Sequence, residues 1–508
     1  MMNPKQADNI HPSISLKRLF GHTAVYTVGM VAQKVIGFLM IPVYTRYLLP
    51  ADYGVLELLT TTFEIVGIFA GMGVTVAMTR HYYQYDKDKD RKAVVSTALI
   101  ISLVVYPLTI GILYLLSGKI SRLIFGTDIY RLHLNLMIFS FLGSTLLEIP
   151  LAYLRVRERS VRFVLLGLAR LLIALSLNIY FVCILKLAVI GVLYSGIITG
   201  GLLSAYLVFS TIKDTGLNFS RHKAKEMMRY GVPIAFSFLG SFVLTFSDRY
   251  FLRVYSSLAE VGVYSLAYRF AGVIPFLVVT PFMQMWGVKR FEIANLPDAH
   301  DMFRKLFNYY AFVLITVGLI LSIFIKPVVH LVATPSYYAA HHIVPMLILS
   351  YLIYGFLNMI NIGILVSRKT IYMSFAYLIS SLVCLGSNFM LIPRWGAAGA
   401  AWATVISYLV LFMFSYRFSQ SLYKLNYDWY PIGKLIFAAI ILYFVGYRYD
   451  PSDTYLSIML RLFLLGCYLA YAFLGGYFTR DEKRTIIGMI ANPLAGSGQL
   501  FGNPSVKK

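Results

Sequence analysis

Long apolar runs separated by short polar ones set the pattern of this chain. A transmembrane helix needs roughly 20 predominantly apolar residues, and fourteen such runs lie between about Gly21 and Phe478. The first two, about His22 to Leu48 and Tyr53 to Met78, are joined by a turn holding Pro50 and Gly54. That turn predicts a tight helical hairpin with Arg46 and Glu57 just inside its two ends. Spans three and four cover about Val94 to Leu116 and Leu134 to Tyr153. Between them Lys119 to Tyr130 alternates basic and apolar residues, the pattern of a helix lying along the interface. Span five starts after Arg159, and span six covers about Leu187 to Thr211. After the longest interior loop, Lys213 to Arg229, come spans at about Tyr230 to Val254, Glu260 to Met283, Leu306 to Ile325 and Ala340 to Leu365. The last four cover about Ile371 to Leu391, Trp395 to Phe414, Ile432 to Val445 and Leu456 to Phe478.

The hairpin is written twice. Ala51-Asp52-x-Gly54-Val55 reappears as Ala259-Glu260-x-Gly262-Val263, an offset of 208. Between spans five and six, Lys186 stands five positions before Gly191; between spans eleven and twelve, Arg394 stands five before Gly399, again offset by 208. Two matches at one offset, at the same ordinal places, predict a six-plus-six repeat. Six is even, so the halves run parallel, with a pseudo-two-fold axis along the membrane normal, an arrangement suited to alternating access around a central site. Spans thirteen and fourteen have no partner in this scheme.

Composition agrees with the pattern. The 508 residues are 59% hydrophobic and 13% charged, with a mean hydropathy of +0.72, against a charged fraction of about 25% in soluble domains. The sequence therefore predicts an all-α polytopic membrane protein. Its net charge of +23 does not point to nucleic acid, because the charge is distributed by side. With a cytoplasmic N-terminus, 31 of the 45 Lys and Arg residues fall in cytoplasmic segments, 10 in outer loops and four within spans. That is the positive-inside pattern, which also suits contact with anionic lipids. The resulting organisation is a cytoplasmic N-terminus at 1–19, read without a signal peptide, an N-lobe at 20–212 and an inter-lobe loop at 213–229. A C-lobe at 230–425, two further spans at 426–478 and a cytoplasmic tail at 479–508 complete it, in a monomer with both termini cytoplasmic.

No catalytic constellation, phosphate loop or metal motif stands out. Cys183, Cys384 and Cys467 lie inside apolar segments, and His330, His341 and His342 read as interfacial histidines. The informative residues are the ionisable ones within spans, since a charge in the bilayer is costly and marks a pathway by default. Lys34 and Arg46 come from the first span, and Arg249, Arg253 and Arg269 from the seventh and eighth. Together they predict a cationic chamber for an anionic cargo, guanidinium forks binding phosphate bidentately and Lys acting as a point charge. The alternative is local pairing, Arg249 with Asp248 or Arg269 with a carboxylate of the second span. Glu57, Glu64 and Asp248 are the candidates for a coupling proton or sodium ion, or for a gate. Glu148 and Arg170 are further intramembrane charges, on spans four and five.

The run Ile41-Pro-Val-Tyr-Thr-Arg-Tyr-Leu-Leu-Pro-Ala-Asp-Tyr-Gly-Val55, Asp248-Arg249-Tyr250 with Glu260-Val-Gly-Val-Tyr264, and Gly396-Ala-Ala-Gly-Ala-Ala401 resemble the polysaccharide-export flippases. That family handles O-antigen, capsule and exopolysaccharide units. It belongs to the multidrug/oligosaccharidyl-lipid/polysaccharide exporter superfamily, and the likeness covers about Leu16 to Leu422. The resemblance implies a non-enzymatic flippase of the cytoplasmic membrane. Its cargo would be an oligosaccharide repeat unit on a polyprenyl pyrophosphate, passed between the glycosyltransferases and the polymerase of one pathway, with no cofactor beyond a proton, a sodium ion or the membrane potential. A lipid II flippase is the alternative, with spans thirteen and fourteen forming a groove for the lipid tail. A cation-coupled multidrug exporter fits less well, since it would favour twelve spans and an acidic cavity.

Overall fold

The structure, a computed structural model, describes residues 37–451, 454–479 and 483; these are helical almost throughout, with no strand among them. Twelve stretches are long and apolar enough to cross a membrane. Thirteen of the fourteen expected spans fall on them, because Ile371–Leu422 runs 52 residues and carries two spans across a break at Gly396. The first expected span lies mostly outside the described residues, and Lys34 with it.

In chain order the helices are α1 (Ile41–Tyr47), α2 (Pro50–Gly71), α3 (Val74–Tyr82), α4 (Asp88–Leu115), α5 (Ser117–Phe125), α6 (Arg131–Thr145), α7 (Glu148–Val156), α8 (Ser160–Asn178) and α9 (Ala188–Thr215). They continue as α10 (Arg221–Tyr255), α11 (Leu258–Ala271), α12 (Thr280–Ile293), α13 (Ala299–Val332), α14 (Ala340–Ile360), α15 (Ile362–Val366), α16 (Ile371–Leu422), α17 (Trp429–Arg448) and α18 (Thr454–Leu474). Local chemistry accounts for their ends. Pro50 opens α2 where its missing N–H costs nothing, and the Asp52 carboxylate accepts from the Leu49 N–H at 3.1 Å. Gly126 (φ 69°) and Gly216 (φ 72°) close α5 and α9 in left-handed geometry. α5 falls in the segment expected to lie along the interface and is helical, with Leu123 exposed. The inter-lobe loop is shorter than expected, since α10 begins at Arg221. The Ser96 hydroxyl accepts from the Asn218 N–H and donates to the Gly216 carbonyl, both at 2.8 Å.

Besides the break at Gly396 and the one at Asn361 between α14 and α15, three spans are broken within their length. Met72 (φ 45°) and Gly73 (φ 64°) separate α2 from α3, Leu146 and Leu147 separate α6 from α7, and a π-helical turn at Pro275–Val279 separates α11 from α12. Gly73 tolerates its break because its Cα faces the backbone of Gly231, leaving no space for a Cβ. Small residues also let α6 and α9 meet: a Cβ on Gly143 would come within 2.6 Å of the Gly200 backbone. In a bilayer such close backbone packing replaces the hydrophobic force that drives helices together in water.

The offset of 208 is visible in the backbone. A Cβ added to Gly54 would collide with the Leu258 carbonyl, and one added to Gly262 with the Pro50 carbonyl. Since 258 is 50 plus 208 and 262 is 54 plus 208, the two hairpins make one reciprocal contact, as elements related by a local two-fold do. Ala188 (φ 46°) and Gly396 (φ 52°), also 208 apart, are both left-handed. Glu158 (φ 55°) and Arg368 (φ 56°) share that geometry 210 apart, each followed by the same bond, Arg159 N–H to Leu154 at 3.0 Å and Lys369 N–H to Ile364 at 3.1 Å.

By Cα proximity the chain divides into two compact units. Of the described residues, one holds those up to 266 with 330–340 and 377–407; the other holds 267–329, 341–376 and those from 408 onward.

Candidate functional site

Two charge clusters of the first unit sit close together, and both draw on α2. The first is a closed clasp. α10 brings Asp248 and Arg249 against Glu57: the Arg249 Nε donates to Glu57 Oε1 at 3.1 Å and its Nη1 to Asp248 Oδ1 at 2.9 Å and to the Thr245 carbonyl at 2.7 Å. The other Asp248 oxygen accepts from the Tyr264 hydroxyl at 2.5 Å. The Arg249 and Asp248 side chains are each 3% exposed, and Glu57 is 15% exposed. One turn further along α10 from Phe246, Tyr250 shares a 2.9 Å hydrogen bond with Thr62 of α2. Arg249 thus spends its donors inside the protein, where unpaired charge would be very costly.

The second cluster lines a void. A cavity of about 790 Å³ lies among α2, α3, α6, α7, α8 and α10, and Glu64, Glu148 and Arg170 all face it. Glu64 stands two turns beyond Glu57 on the same face of α2. Glu148 opens α7 at the break in span four and accepts from the Thr75 hydroxyl at 3.2 Å, just beyond the break in span two. Arg170 projects from the middle of α8. All three are exposed, and among the described residues neither Glu64 nor Arg170 forms an ion pair or a hydrogen bond through its side chain. Phe63, Phe141, Phe242 and Phe246 supply the apolar wall.

The cations expected to share one chamber have these individual settings. Arg46 ends α1 exposed. Arg249 is held in the clasp. Arg253 donates from Nη2 to the Phe125 carbonyl, at the end of α5. Arg269 lies in the second unit, exposed on α11, and Lys34 is outside the described residues. Of the expected gate residues, Glu57 and Asp248 belong to the clasp and Glu64 to the cavity. In the sequence Glu148 and Arg170 are intramembrane charges with nothing to join them to one site. The usable signal was that both stand mid-span with no opposite charge one helical turn away.

The break in α2–α3 opening onto a charged cavity is a transporter-like feature, and the family comparison agrees with it. The sequence profile of a family described as polysaccharide biosynthesis protein matches residues 20–286, which is 267 of the 508 residues. The chain belongs to the polysaccharide biosynthesis protein family. A relative from Haemophilus influenzae, described as an uncharacterised membrane protein, is 22% identical over 264 residues, 51% of this chain and 62% of that protein. The chain thus spans less than two thirds of that relative's length. Among solved structures, the lipid II flippase MurJ in an inward closed conformation superposes with a TM-score of 0.71 at 15% identity, covering 89% of this chain and 99% of that one. An inward-facing multidrug resistance MATE family transporter of the MOP superfamily superposes with a TM-score of 0.61 at 16% identity, covering 77% and 96%. These likenesses establish the fold that a member of this polysaccharide family shares with MOP superfamily transporters.

Proposed function

We propose that the protein is a flippase that moves a polyprenyl-pyrophosphate-linked oligosaccharide repeat unit across the cytoplasmic membrane for surface polysaccharide synthesis. The observation that carries this reading is Arg170, a guanidinium facing a 790 Å³ cavity beside two carboxylates, with a helix broken at Met72–Gly73 along the same wall. The guanidinium offers the cavity five donors in a planar fork that matches a pyrophosphate oxygen pair. Glu64 and Glu148 offer acceptors to sugar hydroxyls, and a proton or sodium ion taken up by either would neutralise charge when the cargo leaves. Lys34, outside the described residues, is a second candidate cation for the cargo on the sequence pattern alone. Backbone breaks at the ends of α2 and α6 give the cavity walls places to bend without losing the rest of the helix.

The test is Arg170→Ala and Lys34→Ala in cells whose surface polysaccharide depends on this protein. Loss of polymer with wild-type levels of inserted protein supports the reading; normal polymer in both variants sinks it. The likeness to the lipid II flippase favours a second reading, transport of the peptidoglycan precursor. Rescue of cells depleted of their lipid II flippase would select that cargo over an O-antigen or exopolysaccharide unit.

A further inference from the structure

The second unit contains its own charged cavity, about 330 Å³, formed where α13, α14, α17 and α18 end or begin. Among the described residues, its lining carries Lys326, His341, His342, Arg448, Asp450 and Arg461, with the phenols of Tyr443 and Tyr447. Asp450 is the single carboxylate among them, and it is fully engaged. Lys326 Nζ donates to Oδ2 at 2.6 Å, while Arg461 Nη2 at 2.7 Å and the Ser457 hydroxyl at 2.6 Å donate to Oδ1. Arg461 is only 4% exposed, so its charge is fixed inside the protein. Arg448, in the last turn of α17, is exposed, and among the described residues it has no ion pair. The imidazoles of His341 and His342 lie 3.8 Å apart in the first turn of α14.

Among the described residues, three guanidinium or ammonium groups therefore share the cavity with one carboxylate, an excess of two positive charges in a partly enclosed volume. Lys and Arg can only donate hydrogen bonds, so the cavity lacks a group with several acceptor oxygens and negative charge. We propose that this cavity binds a phosphate group, Arg448 being the open arm that grips it and the Lys326–Asp450–Arg461 triad the rigid floor. Arg304 to Lys326 spans 22 residues of α13, roughly 33 Å, about one bilayer thickness. The site therefore stands at the membrane face opposite the basic segment Lys289–Lys305. It also gives α17 and α18, which have no counterpart in the repeat, a binding role. The phosphate would come from the headgroup of an anionic lipid or from free inorganic pyrophosphate.

Thermal unfolding of the purified full chain with added sodium pyrophosphate, and lipid retention in nanodiscs of phosphatidylglycerol against phosphatidylcholine, separate the two sources. Protection by pyrophosphate alone assigns the free anion, and selective retention of phosphatidylglycerol assigns the headgroup. In either arm Arg448→Ala should weaken the apparent affinity about tenfold or more, and Arg448→Lys should restore most of it. Both measurements are made in an Arg170→Ala background, which removes the pyrophosphate contact proposed for the cavity of the first unit and should leave this binding intact. The proposal is overturned if neither probe binds, if Arg448→Ala binds as the wild type does, or if binding disappears with Arg170→Ala instead.

Discussion

The clasp and the cavity cluster contain the same parts. Glu57, Asp248 and Arg249 form one; Glu64, Glu148 and Arg170 form the other; each is two carboxylates and one guanidinium, and α2 contributes one acid to each. In the clasp the arginine meets both acids, and a tyrosine hydroxyl fills the remaining acceptor. In the cavity the three groups are spread around a void and, apart from Thr75 on Glu148, keep their hydrogen-bonding capacity open. Composition is thus no guide to role. What separates structure from function here is whether a charge has already been answered by the protein.

Removing the clasp's arginine tests this contrast most severely. Arg249→Ala leaves Asp248 and Glu57 buried without their cation, a change expected to cost about 3–5 kcal/mol and to deplete inserted protein. Thermal unfolding of that variant at wild-type temperature would dismiss the clasp as a structural element. The double variant Glu57→Gln with Arg249→Met should lose less than the sum of the singles, because they share one network.

Arg170→Ala is expected to behave in the opposite way. Its stability should stay within about 0.5 kcal/mol of the wild type, while surface polymer falls about tenfold or more, the loss expected from one charge-assisted contact to cargo. Smaller again are Glu64→Gln and Glu148→Gln, each expected to lower polymer output about two- to tenfold; equal pH profiles for both variants and wild type would remove these acids from ion coupling. Thr75→Val takes one 3.2 Å hydrogen bond from Glu148 and should cost about 0.5 kcal/mol in unfolding experiments.

Asp450 supplies a comparison outside the spans. Burial pushes its carboxyl up, but donors from Lys326, Ser457 and Arg461 outweigh this and hold it below the ordinary 3.8. A lowered folded value means that the stabilisation is fully present above pH 3.8 and is lost as pH falls below it. Asp450→Asn should therefore be less stable than the wild type at neutral pH, with the gap closing under acid; a gap independent of pH would refute the linkage.

The span pattern was legible because each bilayer crossing must write its own apolar run, and the repeat because Gly54 and Gly262 have no room for a side chain. The local pairing of Arg249 with Asp248 was legible as one of two alternatives. The part taken by Glu57 was not, since nothing in a linear order says which face of α10 meets α2. Arg170 and Glu148 were visible as charges but not as neighbours, for the same reason. The break within the 52-residue α16 was legible as well, since Pro393, Arg394 and Gly396 interrupt the apolar run between the two expected spans. Symmetry also failed as a guide to chemistry: at offset 208, Glu57, Asp248 and Arg249 correspond to Ser265, Met40 and Ile41. The backbone repeats while the charges do not.

The reciprocal contact of Gly54 with Leu258 and Gly262 with Pro50 carries a historical implication. A surface that fits its own copy needs no second invention: a half-length chain able to present that hairpin would already have paired with a twin, and joining two such genes end to end would have kept the pairing while freeing each copy to vary. The clasp is what that freedom produced, a charged contact built from both copies at positions whose counterparts carry no charge.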